Sequence, residues 1–247
     1  MDFHSPATRI DSLPEDAFYI SDFISEDEET RLIQKVQSAP LPRWTHLSHR
    51  RLQTWPSALT KSDTLLLSPL SPWLIDPIIH RFDDLSIFAD APHGAPNHIL
   101  VNEYQPGQGI MPHEDGSAYY PLVATVSLGA PIVLDLYEKN GHCSGKEYHH
   151  FTDMASHGKP QFRILQERRS LLVMRKRIYT DFLHGIAETA IDEDLGPHSI
   201  CNWDLLREKD LYDAGWYRRE TRTSLTYRDV LKVAKIGDTL KFLGVPS

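Results

Sequence analysis

The chain has 247 residues, 26 Lys and Arg against 34 Asp and Glu for a formal net charge of −8, and 40% hydrophobic residues. Those proportions suit a soluble globular protein and argue against wholesale wrapping by nucleic acid, while a local basic groove remains compatible with them. Two cysteines exclude a disulfide framework, no apolar run approaches the ~18 residues of a membrane span, and the start lacks the basic and apolar regions of a secretory signal, so an intracellular protein of the nucleus or cytoplasm is expected.

The first marked element is a helix in "DFISEDEETRLIQKVQSAP". Ser25 can cap it, Glu28 stands three residues on as in a capping box, and Leu32, Ile33 and Val36 make one apolar face before Pro40. A second helix is expected from Pro72, carrying Trp73, Leu74, Ile78, Ile79 and Phe82. From about residue 97 the pattern turns to strands: "NHILVNEY", "LVATVSLG", "IVLDLYE", "QFRILQE", "SLLVMRK" and "RTSLTYRD" are short, rich in Val, Ile, Leu and Tyr, and punctuated by Gly and Pro. Inserts at about 138–161 and 188–219 interrupt them, the second with a short helix expected in "NWDLLREKDLYD". Many strands without intervening helices predict a mainly β, α+β protein built as a double-sheet roll with an amino-terminal helical and hairpin extension. Length alone does not choose between one domain and two. The expected organisation is a single domain over 1–247, with a flank at 1–95, the roll at 96–230 and a closing segment at 231–247.

The segment "GIMPHEDGSAYYP" holds the one His-x-[Asp/Glu] triplet of the chain, His113-Glu114-Asp115. Composition alone would produce roughly two such triplets, so the motif is weak by itself. Its chemistry is nevertheless specific: residues i and i+2 of an extended chain point the same way, and a facial iron site needs two His and one carboxylate. His184, at the end of "IYTDFLHGI" and followed by Gly185, is the strongest candidate for the third ligand; the alternative is an ordinary hydrogen-bonded strand-end histidine. His142, Cys143, His149, His150 and His157 could imitate a zinc cluster but lack paired Cys-x2-Cys spacing, so a solvated insert is expected there. Arg222 and Arg228 share a strand face and could grip a small dicarboxylate from two ends. Arg163/Arg169 and Arg169/Arg175 have the same spacing, and only chain order sets the first pair apart.

Taken in order, "NEYQPGQGIMPHEDG", "VSLGAPIVLDLYE", "LHGI" and "RTSLTYR" resemble the AlkB-like iron(II)/2-oxoglutarate dioxygenases, with wording closest to the sixth-homologue branch. The resemblance covers roughly residues 97–230 and implies a double-stranded β-helix, or jelly roll, in agreement with the strand pattern. It implies Fe(II), 2-oxoglutarate and O2, with His113, Asp115 and His184 as iron ligands. It further implies Asn102 and Tyr104 as hydrogen-bonding partners of 2-oxoglutarate, Arg222 at its distal carboxylate and Arg228 near its chelating end. Where DNA-repairing relatives place an acidic residue close after His-x-Asp, this chain has Gly116-Ser117-Ala118. The expected reaction is therefore oxidative demethylation of an N-alkylated nucleic acid, with RNA slightly favoured over DNA. An idle nucleic-acid-binding fold and a protein hydroxylase are the rivals, and the oligomeric state is open. The segment "PRWTHLSHRRLQTW" occupies the place of the family's nucleotide-recognition lid. Its Trp44, Arg50, Arg51 and Trp55 are expected to stack bases and contact phosphate, or else to form an edge hairpin packed over the core.

Overall fold

The computed structural model describes residues 8–14, 16–139 and 158–235. The amino-terminal third carries β1 (Thr8–Arg9), β2 (Ala17–Ile20), α1 (Glu26–Gln37), β3 (Thr45–Leu47), β4 (Arg50–Trp55), β5 (Thr64–Leu66), α2 (Pro72–Ile75) and α3 (Ile78–Asp84). There follow β6 (His98–Tyr104), β7 (Ile110–His113), β8 (Tyr119–Leu128) and β9 (Ile132–Glu138). Beyond the first insert come β10 (Phe162–Gln166), β11 (Leu171–Arg175), α4 (Arg177–Thr180), β12 (Phe182–Ile186), β13 (Ile191–Glu193), β14 (Trp216–Arg218), β15 (Arg222–Val230) and β16 (Lys232–Ala234).

Two sheets make the roll. The main sheet runs β1-β2-β11-β8-β15-β6-β4-β3, and a smaller one runs β10-β9-β12-β7. All six strands expected from the short runs rich in Val, Ile, Leu and Tyr are present, as β6, β8, β9, β10, β11 and β15. The main sheet also recruits β2 and the β3–β4 hairpin from the first 55 residues, so the sheet is not confined to the 96–230 stretch.

Alternation divides this main sheet into two chemistries. Ile99, Val101, Ala124, Val126, Val173, Leu225 and Tyr227 face outward and pack beneath Leu32 and Val36 of α1, Leu74 of α2, and Ile78, Ile79 and Phe82 of α3. Their alternates, including Asn102, Tyr104, Thr125, Ser224 and Thr226, face a cavity between the sheets. The layer between the sheets is completed by Val123, Leu172 and Met174 against Ile132, Leu134 and Leu136.

The capping box of α1 forms as expected. Ser25 Oγ accepts from the Glu28 amide, and Glu28 Oε2 accepts from the Ser25 amide at 2.7 Å. Glu28 also takes both Nη groups of Arg81, which ties α3 to the first turn of α1. The single helix expected from Pro72 is two, α2 and α3, because Pro77 has no N–H with which to continue the first turn. The helix expected in "NWDLLREKDLYD" is instead a pair of 3-10 turns, Trp203–Leu205 and Lys209–Tyr212. Between them the buried carboxylate of Glu167 accepts the amides of Arg207 and Glu208 at 3.0 and 2.7 Å, which holds the chain extended at Leu206. The histidine-rich first insert, with His142, Cys143, His149, His150 and His157, lies outside the described residues.

Candidate active site

The antiparallel pairing of β7 with β12 sets His113 directly across from His184. Their rings sit 4.3 Å apart, centre to centre. Asp115 follows β7 by two residues, and one ligand atom from each of the three residues falls within 4.8 Å of the others. Close approach of the strands requires glycine: a Cβ on Gly185 would lie 3.0 Å from the Pro112 nitrogen, and one on Gly109 would run into the Ile186 carbonyl.

Each donor is prepared for a cation. The Nδ1 of His113 lies 2.9 Å from the Met111 carbonyl, which can only accept, so Nδ1 carries the proton and Nε2 is left with its lone pair. Burial pushes the pKa of His113 down, and that of His184 down to about 3 through burial and then through His113. Both rings are therefore neutral ligands at physiological pH. Burial alone would raise the Asp115 carboxyl, but Arg228, His184 and His113 outweigh it and hold it below the usual carboxylate range. Arg228 Nη2 forms an ion pair with Asp115 Oδ1 at 2.5 Å, the oxygen that lies 4.0 Å from His184 Nε2, whereas Oδ2 is buried with no hydrogen-bond partner among the described residues. Two neutral imidazoles and one carboxylate oxygen form the donor set of a facial iron site, and these residues fit one.

The cavity, about 260 Å³, is lined by the triad together with Arg50, Asn102, Tyr104, Ser224, Thr226, Arg222 and Arg228. Arg222 and Arg228 thus share the face that their even spacing predicts. Among the described residues Arg222 is buried without a carboxylate: its Nη2 donates to Ser127 Oγ at 2.9 Å and Gln166 Oε1 at 3.2 Å, and its Nε has no partner. Burial lowers its pKa to about 10, the mark of a cation held at a desolvation cost. The rival pairs lie elsewhere. Arg163 reaches Asp135, and Arg169 pairs with Asp22. Ser127 and Gln166 were not singled out from the sequence; their only signal is a polar residue directly after an apolar one near the end of a strand, Val126 and Leu165 respectively.

The lid residues separate. Arg50 lines the cavity, and its Nε is buried without a hydrogen-bond partner among the described residues. Trp44, Arg51 and Trp55 do not reach the cavity. Arg51 forms a bidentate pair with the buried Glu103 at 2.7 and 2.9 Å, and its guanidinium covers the Trp44 ring at 4.1 Å. Trp44 itself is only 7% exposed within the outer core. Trp55 meets Trp73 edge-on at 5.7 Å, with Arg43 stacked over it at 4.1 Å. The hairpin is thus an edge hairpin packed over the core whose cavity-facing strand residues, Arg50 among them, look the other way. Its tip is tied to the segment after β12 by His49 and Glu188, 2.9 Å apart.

The family model described as the 2OG-Fe(II) oxygenase superfamily matches residues 16–228, and the chain belongs to that superfamily. The "Probable RNA/DNA demethylase ALKBH6" of Danio rerio is 37% identical over 222 residues, 90% of this chain and 88% of that protein. The likeness bears out the AlkB-like, sixth-homologue reading of the sequence. The "Uncharacterized protein L905" of Acanthamoeba polyphaga mimivirus is 26% identical over 86% of this chain and 84% of its own length. A Xenopus tropicalis protein, "tRNA (carboxymethyluridine(34)-5-O)-methyltransferase alkbh8", is 25% identical over 89% of this chain, which spans 32% of that larger protein. Among solved structures, OsALKBH1 matches with a TM-score of 0.50 at 14% identity, over 88% of this chain and 98% of that one, a likeness of fold. The protein is an Fe(II)- and 2-oxoglutarate-dependent dioxygenase with a jelly-roll fold. Among the described residues no helix is long and apolar enough to cross a membrane.

Proposed function

We propose that His113, Asp115 and His184 hold the Fe(II), that Arg222, Asn102, Tyr104 and Arg228 hold 2-oxoglutarate, and that the substrate is an N-alkylated nucleic acid, RNA before DNA. The observation that carries the reading is the juxtaposition, in one cavity, of the His-Asp-His triad with a buried arginine that has no anion of its own. Bound Fe(II), with 2-oxoglutarate and O2, supplies the power to hydroxylate a C–H bond. When that carbon is an N-methyl group, the hydroxylated product loses formaldehyde.

The chain's own work is orientation. Arg222, steadied by Ser127 and Gln166, offers its guanidinium to the distal carboxylate of the cosubstrate. Arg228 pairs with Asp115 and would lie near the chelating end of the cosubstrate. Leu134, Met174 and Ile186 keep water from the wall of the same cavity. Arg50 is the cavity cation left over after those pairings, suited to a phosphate or a base carbonyl of a substrate. The name of the zebrafish relative supports nucleic acid, and the absence of an acidic reader after Asp115 favours RNA over DNA repair. An action in the nucleus or cytoplasm goes with that substrate.

The test is incubation with Fe(II), ascorbate, 2-oxoglutarate and methylated RNA and DNA oligomers, read by mass spectrometry and by succinate release. Loss of one methyl mass, absent in His113→Ala and Asp115→Ala, is expected. Succinate from neither oligomer, nor from the cosubstrate alone, would leave the fold as an idle binder. Succinate with an unchanged oligomer but an oxidised peptide would shift the substrate to protein.

A further inference from the structure

The triad histidines sit at the edge of a sheet. In the smaller sheet β7 is the outer strand, with β12 as its neighbour, and their pairing is short: His184 lies opposite His113 and Ile186 opposite Ile110, with an irregularity between. A four-residue edge strand has ladder bonds on one side only, so it opens locally unless something else holds its end.

One side chain does so. Arg219 lies between β14 and β15, and its side chain is 2% exposed. Its Nε and Nη2 donate to the two oxygens of the buried Asp192, on β13, at 2.8 and 2.6 Å. Its Nη1 donates to the Ala187 carbonyl at 2.7 Å and to the Gln108 carbonyl at 3.3 Å. Ala187 directly follows β12, and Gln108 stands two residues before β7. A single nitrogen therefore bridges the backbones of the two strands that carry His184 and His113, at the end of the ladder away from the histidines. Two backbone bonds reinforce the bridge: the Arg219 amide donates to the Ala190 carbonyl and the Gly107 amide to the Thr189 carbonyl, each at 3.0 Å. Arg163 of β10 fastens the far end of β13 to the smaller sheet, donating to the Glu193 and Asp194 carbonyls at 3.0 Å.

An ordinary buried ion pair needs only its carboxylate. Here the fork on Asp192 fixes the plane of the guanidinium, and the remaining nitrogen reaches two carbonyls that belong to neither β13 nor β14. We propose that Arg219, oriented by Asp192, is a positioning residue for the metal: it fixes how β7 lies on β12, and through the two strands how His113 faces His184. The proposal rests on the assignment of the triad to Fe(II). It also gives the second insert a task, since Asp192 and Arg219 clasp the open edge of the smaller sheet.

The test takes two measurements on the full chain. Hydrogen exchange of the metal-free protein reads the clasp itself. Arg219→Lys keeps a charge beside Asp192 but cannot reach the carboxylate and both carbonyls at once. Its β7 amides are expected to exchange about tenfold faster, while those of β8 and β15 keep wild-type rates. Mn(II), a redox-stable stand-in for Fe(II), is then titrated in without 2-oxoglutarate and followed by electron paramagnetic resonance. Arg219→Lys should bind it about tenfold more weakly, with an altered line shape for the bound ion. The double variant Arg219→Met/Asp192→Leu replaces the ion pair by apolar groups, an exchange that is often neutral or stabilising. It should hold the thermal midpoint near wild type and still bind Mn(II) as weakly as Arg219→Lys. Arg81→Met, which unties α3 from Glu28 of α1, is the control and should lose stability but keep Mn(II) affinity. Either measurement at its wild-type value in Arg219→Lys would overturn the proposal. An equal loss of Mn(II) affinity in Arg81→Met would overturn it too, even if the double variant failed to fold. No Mn(II) binding by the wild-type chain would instead overturn the triad assignment, and this proposal with it.

Discussion

Arg50 and Arg51 are neighbours in the chain and occupy opposite faces of the main sheet: Arg50 lines the cavity, and Arg51 is locked onto Glu103 against Trp44. A basic pair that reads in sequence as one phosphate clamp is therefore two unrelated devices. Arg50→Ala is expected to weaken binding of single-stranded oligonucleotides and to flatten its salt dependence by about 0.7 log units per log unit of salt. Arg51→Ala should leave that slope intact and instead cost about 2 kcal/mol of stability, less than the full penalty for a buried pair because Arg51 is one-third exposed. Salt titrations and urea unfolding of the two variants separate the effects. A flattened slope in Arg51→Ala alone would reverse the assignment.

Arg222, a buried cation with no carboxylate partner among the described residues, carries a desolvation cost that a bound dicarboxylate would offset. Arg222→Met should therefore leave the ligand-free protein as stable as wild type or more so, and remove most of the thermal shift that saturating 2-oxoglutarate produces. Affinity for 2-oxoglutarate should fall by about 100-fold or more, with Arg222→Lys intermediate because the forked head group is lost. Arg169→Ala, on the Asp22 side of the molecule, serves as the control and should bind 2-oxoglutarate normally. Calorimetric titration reads all three.

The two histidines can face each other only because β12 runs close to β7 at Gly185. A methyl group there would meet the Pro112 nitrogen at 3.0 Å and the Ile110 carbonyl at 3.1 Å, so one strand must shift by a few tenths of an ångström. Gly185→Ala is expected to weaken Mn(II) binding more than it weakens the fold. Gly94→Ala, where a Cβ would meet nothing within 4 Å but the backbone is left-handed, should do the reverse. Matching metal affinities in wild type and Gly185→Ala would show that the strand pair has slack.

His98 imposes a pH dependence on the metal-free protein. Its pKa is lowered from 6.5 to about 4, chiefly by burial. Between those values the unfolded chain binds a proton that the folded chain refuses, so stability rises with pH across the window and is lost as pH falls from about 6.5 toward 4. One such group contributes at most about 1.4 kcal/mol per pH unit. His98→Asn should shrink the difference in unfolding free energy between pH 5 and pH 6.5 by about 1–2 kcal/mol. An undiminished difference would assign the acid sensitivity to other groups.

What could be read without coordinates was whatever the chain repeats or marks locally. The six strands announced themselves as short apolar runs between Gly and Pro, α1 by Ser25 and Glu28, and the triad by a His-x-Asp in an ordered series of blocks. Features that depend on a distant partner stayed hidden. Strand β2 is four residues long and exists because β11 pairs with it; the extended chain at Leu206 exists because Glu167 takes two amides. Trp44 beside Arg51 reads equally well as a stacking platform or as core, and only the burial of Trp44 decides. Ser127 and Gln166 carry no motif at all; they matter because Arg222 lands on them.

Strand β15 spells two interleaved messages. Arg222, Ser224, Thr226 and Arg228 address the cavity, while Leu225 and Tyr227 belong to the oily layer under the helices, where the Tyr227 hydroxyl donates to the Leu74 carbonyl at 3.0 Å. A frame of two has no tolerance for indels. One residue inserted between Arg222 and Arg228 would drive one guanidinium into the hydrocarbon layer and bring Tyr227 or its neighbour to the mouth of the chemistry. Evolutionary drift in this enzyme is therefore free to lengthen its loops but must keep the count along β15 fixed, whatever the letters between the two arginines become.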